Sequence, residues 1–151
     1  MDLNPSRDAA TIELIARYYR GCNSGDIKLL MSTMTNDVTH YFLQPGTKPV
    51  SGAEHLAKYW RKVQRILNAR WQVDYAIAKG RDAAIEWTIF WTNPDSGKRL
   101  TSRGAEFYVI KDGLISEIRA YYNQLPDANS ELVDFDYLHR GFFFEVSSSA
   151  K

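Results

Sequence analysis

Apolar positions recur with a helical period in the first part of the chain and with a strand period after it. Ile12, Ile15, Ala16 and Tyr19 fall at i, i+3, i+4 and i+7, which predicts a first helix over about 8–22, with Ser6 as its cap. Asn23-Ser24-Gly25-Asp26 stops that helix and starts a second near 27–34, with Ile27, Leu30, Met31 and Met34 on one face. Asn36-Asp37, read as a loop in which Asp37 caps or bridges, leads into an extended piece from Val38 to Phe42 that Gln44-Pro45-Gly46 breaks. Ser51 followed by Glu54 reads as a capping box, and Leu56, Tyr59, Trp60, Val63 and Leu67 behind it make a third amphipathic helix.

From residue 70 the period becomes 2: Trp71, Val73, Tyr75 and Ile77 alternate with Gln72, Asp74, Ala76 and Ala78. Gly80-Arg81-Asp82, Asn93-Pro94-Asp95-Ser96-Gly97 and Asp112-Gly113 then separate strands at about 83–92, 99–110 and 114–122. Four hairpin-linked strands predict an antiparallel meander. Helices arriving in one block should cover one face of it, giving an α+β domain whose other face is free for a partner. Residues 124–151, Asp- and Ser-rich with the cluster Phe142-Phe143-Phe144, read as a tail that packs back on a core of about 8–123, so that 1–151 is expected to be a single domain.

Composition narrows the function classes. Nineteen Lys+Arg against eighteen Asp+Glu leave a net charge of +1 with no long basic run, which disfavours nucleic acid. The one cysteine, Cys22, excludes an internal disulfide framework. The start Met1-Asp2-Leu3-Asn4-Pro5 has neither a basic nor an apolar leader region, and no apolar stretch reaches the ~18 residues of a membrane span, so a soluble cytoplasmic protein is expected. His40, His55 and His139 are too scattered for a compact metal site, and neither a Gly-rich phosphate loop nor a serine nucleophile elbow is present. No metal and no cofactor are expected. The unusual feature is a 13% aromatic share, nine Tyr, seven Phe and four Trp, which suits a core and a ligand cavity equally.

The order of elements, with particular residues in it, resembles the nuclear transport factor 2-like superfamily, specifically its SnoaL-like polyketide cyclase and ketosteroid isomerase branches. The resemblance covers roughly residues 10–123. It is carried by Ala16-Arg17-Tyr18-Tyr19, Gly25-Asp26-Ile27, Asn36-Asp37-Val38, Gly52-Ala53-Glu54, Glu86-Trp87-Thr88, Lys111-Asp112-Gly113-Leu114-Ile115 and Arg119-Ala120-Tyr121-Tyr122. It implies a cone-shaped half-barrel: three N-terminal helices on a curved, mostly antiparallel, mixed sheet around an apolar pocket. These motifs specify fold and leave chemistry open, since the superfamily holds isomerases, cyclases, dehydratases, epoxide hydrolases and binding modules.

Carried over by the resemblance, Tyr18 stands where ketosteroid isomerases keep a tyrosine that donates to the substrate oxygen, and Glu106 where they keep a protonated acid. Phe42 stands where they keep their aspartate base, and Ala120 and Asn123 where many SnoaL-like sequences have acids. His40 shares the strand face of Phe42 and Val38 and can replace the missing base; the competing readings are a histidine hydrogen-bonded in or beside the core and an exposed histidine. Glu106 interrupts a small, apolar strand, where an unpaired charge is expensive. It either donates to a ligand oxygen as a neutral acid, pairs with an arginine, or lines solvent. Tyr18 lies about 80° from the centre of the first helix's apolar stripe, so a purely structural role competes with a functional one.

Trp60, Trp87, Tyr108 and Tyr122 join Phe42 as pocket walls through the superfamily's geometry, and Glu117 and Arg119 read as a solvated or subunit-facing pair. The expectation is an enzyme of isomerase, cyclase or lyase type that needs no cofactor. It would act on a small hydrophobic carbonyl-bearing or cyclic molecule, with Tyr18, His40 and Glu106 as the catalytic set. The alternative is a noncatalytic domain that binds a small hydrophobe or serves as a scaffold. An epoxide hydrolase would need a strand Arg–Asp pair that the sequence does not assemble. A homodimer through the open sheet face is expected from the mixed surface of Glu86, Thr88 and Phe90.

Overall fold

The computed structural model describes residues 5–42, 44, 46–123, 125–130 and 132–135. Helix α1 spans Pro5–Ser24, beginning on a proline whose missing N–H costs nothing at a helix start. Ser6 falls inside it, and its side chain lies outside the described residues. Leu14, Ile15, Tyr18, Tyr19 and Cys22 form its buried stripe. Gly25 ends it in the left-handed region (φ 66°), donating to the Gly21 carbonyl at 2.9 Å. Asn23 then grips the sheet twice: its Nδ2 donates to the Trp71 carbonyl at 2.9 Å, and its Oδ1 accepts from the Trp71 N–H at 2.7 Å.

Helix α2 is only Ile27–Met31, capped by the Asp26 carboxylate accepting from the Leu29 N–H at 3.0 Å. It stops short of residue 34 because Met34 pairs with Ile115 and starts strand β1, Met34–Phe42. Asp37 therefore sits exposed inside a strand, in the stretch where the register slips, and not in a loop. Val38, His40 and Phe42 are buried at alternate positions, as expected. The two-residue strand β2, Val50–Ser51, pairs with β1 and leads into helix α3, Ala53–Leu67. The expected capping box is not formed. Gly52 takes the cap position at φ 91° and its N–H donates to the Val38 carbonyl at 2.8 Å, Ser51 Oγ meets Thr39 Oγ1, and Glu54 pairs with Lys58.

The meander follows as β3 (Arg70–Lys79), β4 (Asp82–Thr92), β5 (Arg99–Lys111) and β6 (Leu114–Tyr122). Asp112 and Gly113, at φ 51° and 75°, make the hairpin turn that the sequence announces. One expectation fails in β3: a bulge between Val73 and Tyr75 reverses the alternation, so Trp71, Val73 and Ala76 are buried while Tyr75 and Ile77 are exposed. The sheet order is β2-β1-β6-β5-β4-β3, and the β1–β6 contact is parallel, which makes the sheet mixed and leaves it unclosed. Beyond the reach of β6, the C-terminal stretch runs along β5: Ser130 N–H donates to the Thr101 carbonyl at 2.9 Å and Asn129 Oδ1 accepts from the Thr101 N–H at 2.8 Å. The cluster Phe142-Phe143-Phe144 and His139 lie outside the described residues.

Among the described residues no helix is long and apolar enough to cross a membrane. The inner sheet face and the helices enclose the core. The outer face carries a half-buried polar knot: Arg103 Nη2 is 2.7 Å from Asp74 Oδ2, which also accepts from Thr88 Oγ1 at 2.6 Å, and the exposed Glu86 lies 3.4 Å from the same guanidinium.

Candidate functional site

A cavity of about 120 Å³ opens between α3 and the inner face of the sheet. Its deep wall is made of His40 (β1), Trp71 (β3), Trp87 and Ile89 (β4), Ser102 and Glu106 (β5) and Ala120 (β6), all buried. Phe42 and Trp60 flank it, and the half-buried Tyr59, Val63, Leu67 and Tyr122 form its mouth. Strand register explains the meeting of distant residues: Ala120 pairs with Phe42 on one side and with Glu106 on the other. His40 pairs with Ile118, which pairs with Tyr108, so His40 and Glu106 lie diagonally across β6.

His40 is 0% exposed, and neither Nδ1 nor Nε2 has a hydrogen-bond partner. Its Nε2 lies 3.6 Å from Glu106 Oε1, within ion-pair range once the ring is protonated but too far for a hydrogen bond. The ring is held by Phe42 at 4.3 Å between centroids and by the edge of Trp60 at 5.2 Å. Glu106 has its other oxygen fully occupied: Oε2 accepts from Tyr19 Oη at 2.7 Å and from Tyr108 Oη in a short bond. Burial, and then the Glu106 charge, push the Tyr19 and Tyr108 phenols well above the ordinary tyrosine value, so both stay protonated as donors. Oε1, turned toward His40, is the oxygen left for chemistry.

Of the residues singled out in the sequence, His40, Glu106, Phe42, Trp60, Trp87 and Tyr122 come together on the cavity. Tyr18 and Tyr108 do not line it. The Tyr18 hydroxyl accepts the Trp60 indole N–H at 2.5 Å, so it braces a wall, while Tyr108 supports Glu106 from behind. Glu106 pairs with phenols and not with an arginine. Tyr19, passed over in the sequence because it sits in the middle of an apolar stripe, is the α1 tyrosine that meets the carboxylate; one residue along a helix turns a side chain by about 100°. Trp71, Tyr59, Val63, Leu67, Ile89 and Ser102 complete the lining. The first four were legible as apolar periodic positions without any sign that they faced a cavity.

A strand Arg–Asp pair does exist, Arg103 with Asp74, but on the outer sheet face, away from the cavity. Among the described residues no three His, Cys, Asp or Glu side chains are grouped as metal ligands. Tyr122 at the mouth is pushed up to about 12, mainly by burial, and remains a neutral phenol.

Comparison with known proteins places this geometry in a family. The SnoaL-like domain family matches residues 15–118. A protein of unknown function with a cystatin-like fold from Methylobium petroleophilum is 35% identical, covering 95% of this chain and 96% of its own, with a TM-score of 0.68. More distant structures share the fold. An LEH-like epoxide hydrolase of M. tuberculosis is 16% identical over 77% of this chain and 84% of its own, at a TM-score of 0.66. TerC, co-crystallised with polyporic acid, is 19% identical over 76% and 92%, also at 0.66. No curated protein matches the chain.

Proposed function

The chain belongs to the SnoaL-like domain family, and we propose that within it this protein is an isomerase-, cyclase- or lyase-type enzyme that moves protons on a small apolar ketone or related carbonyl compound. The observation that carries this reading is His40: wholly buried, facing a cavity, with both nitrogens unpartnered and a carboxylate 3.6 Å away. An unpaired buried polar atom costs about 1–3 kcal/mol, which a purely structural core position has no reason to bear.

In the proposed step the neutral imidazole takes a proton from the carbon next to the carbonyl. The C–H bond breaks, an N–H bond forms on His40, and the electron pair moves onto the carbonyl oxygen as an enolate. Glu106 Oε1 stabilises the imidazolium, while Tyr19 and Tyr108 fix the carboxylate through Oε2. The proton then returns to the same carbon or to a conjugated one. Phe42, Trp60, Trp87 and Tyr122 keep water from the enolate.

The test needs no natural substrate. In D₂O, the protein should catalyse deuterium incorporation beside the carbonyl of cyclohexanone, followed by NMR. His40→Ala should lower that rate about 10²–10⁴-fold, the span for losing a positioned base. An unchanged rate in His40→Ala rejects the reading. A noncatalytic hydrophobe-binding domain is favoured by one observation, that among the described residues Glu106 is the one carboxylate lining the cavity; ketone binding without exchange in the wild type would establish it.

We also propose a homodimer through the outer sheet face. Tyr41, Tyr75, Ile77, Phe107 and Tyr121 are 40–52% exposed there, a density of apolar area that favours a second copy over solvent.

A further inference from the structure

One oxygen of the cavity wall is left without a donor. Tyr19 and Tyr108 close Glu106 Oε2, whereas Oε1 has only His40 Nε2 beside it at 3.6 Å, beyond hydrogen-bond length. Among the described residues Oε1 meets no other donor, and it is not one of the unpaired polar atoms sealed from solvent. The Glu106 side chain lines the cavity and keeps 5% of its surface accessible, so its free oxygen opens on that space.

The rest of the wall supplies no counter-charge. Among the described residues no Lys or Arg lines the cavity, and its other polar groups are the His40 imidazole and the hydroxyls of Ser102, Tyr59 and Tyr122. With the imidazole neutral, as the proposed step requires, the carboxylate is the one charge in the wall, and a buried charge is expensive until something pairs with it. Six aromatic rings, Phe42, Tyr59, Trp60, Trp71, Trp87 and Tyr122, line the same space from five elements, α3, β1, β3, β4 and β6. An ammonium is attracted to the face of an aromatic ring, an indole above all, within about 6 Å of its centroid. An unpaired carboxylate among aromatic rings therefore selects for positive charge. The volume limits what can carry it: about 120 Å³ is slightly below the roughly 150 Å³ of an engineered cavity that takes benzene, so the enclosed part of a ligand is a single ring.

We propose that the ligand of this cavity is a small cyclic compound bearing a protonated amine, whose N–H donates to Glu106 Oε1 while its ring packs against the aromatic walls. This rests on the proposed ligand role of the cavity, but not on catalysis. Taken with the proposed step, it narrows the substrate class from apolar ketones to amino ketones. A hydrogen bond between two charged partners is stronger than one between neutral groups, and in an apolar cavity the difference is large enough to set specificity.

The test compares three ligands of nearly one size: cyclohexylamine, which is protonated near neutrality; cyclohexanol, a neutral donor; and methylcyclohexane, which has no polar group. Their affinities are read by NMR titration of the ¹⁵N-labelled protein. The ammonium should bind about tenfold or more tightly than either neutral ligand. In Glu106→Gln, which keeps the shape and an acceptor oxygen but not the charge, its advantage over cyclohexanol should fall to about one; should that variant not fold, the wild-type comparison alone decides. Cyclohexanol bound as tightly as the ammonium overturns the assignment in favour of a neutral donor. An ammonium preference that survives in Glu106→Gln overturns it by locating the attraction elsewhere. If none of the three binds while cyclohexanone still undergoes His40-dependent deuterium exchange, the amine is wrong and the proposed function stands. If cyclohexanone neither binds nor exchanges as well, both fall.

Discussion

Raising the pH should unfold this protein through the phenols packed around Glu106. Tyr18, Tyr19 and Tyr108 are 1%, 5% and 1% exposed. All three are held well above the ordinary tyrosine value, chiefly by burial; the next cause is the Glu106 charge for Tyr19 and Tyr108, and Cys22 for Tyr18. In the unfolded chain a tyrosine titrates near 10. Above that pH the unfolded state has lost protons that the folded state keeps, so the stability, complete at lower pH, falls as pH rises. Each phenol removes up to about 1.4 kcal/mol per pH unit, and three remove about 4. Cys22, also pushed up by burial, begins to contribute at a lower pH. A domain of ordinary stability, about 5–15 kcal/mol, would be exhausted about one to four pH units above 10.

Urea titrations followed by far-ultraviolet circular dichroism between pH 8 and 11 measure that slope, and tyrosinate absorbance at 295 nm reports the phenols. Tyr108→Phe should flatten the slope by about one proton. The reasoning is refuted if stability is level between pH 9 and 11. It is equally refuted if the absorbance that Tyr108→Phe removes appears while the dichroism is still native.

Arg103→Ala should cost about 2 kcal/mol, between the values for exposed and buried pairs, since it leaves the half-buried Asp74 carboxylate beside Thr88 without its cation, and should lower the melting temperature by about 4–8 °C. Cyclohexanone binding should not change, because the pair sits on the face away from the cavity; a loss below about 2 °C would mean that water screens the pair. Light scattering at micromolar concentration should give twice the 17.3 kDa chain mass, and Phe107→Glu should return it to one copy. A monomer in the wild type would end the dimer proposal.

Much of this architecture is legible in the sequence where one period runs undisturbed. The stripe on α3, the hairpin at Asp112-Gly113 and the shared strand face of His40 and Phe42 follow from spacing, while the inward direction of that face comes from the resemblance. What escapes depends on partners far away in the chain. Met34 continues the apolar face of α2 and would prolong it, but pairing with Ile115 claims it for β1. The bulge beside Asp74 turns Tyr75 and Ile77 outward, and it exists because Val73 and Tyr75 face the adjacent residues Trp87 and Glu86 of β4. Glu106 announced itself as an acid in an apolar strand, and Tyr108, two residues along the same face, was within reach of that reasoning. Tyr19 was not, because in a helical stripe a hydroxyl that reaches a carboxylate across the core looks the same as a ring that only fills space.

The distribution of satisfied and unsatisfied polar atoms gives the cavity its meaning. Glu106 Oε2 accepts from two phenols, while His40 Nδ1, His40 Nε2 and Trp87 Nε1, on residues that line the same cavity, have no hydrogen-bond partner. A fold selected for stability alone would share those partners out or replace the polar groups with apolar ones of similar shape, a change that is often neutral or stabilising. Here two donors converge on one carboxylate oxygen and fix it, while the nitrogens of two neighbouring cavity residues are left without partners. Phe42 fits the same logic. Where the resemblance would put an acid at this position, an aromatic ring packs against an imidazole two residues earlier on the same strand face. In the proposed reading the base is therefore His40, two residues before Phe42 on β1, and Ala120 separates Phe42 from Glu106 in the register. Local rules broken together, in one place and facing one cavity, mark a site of function more than a set of independent defects.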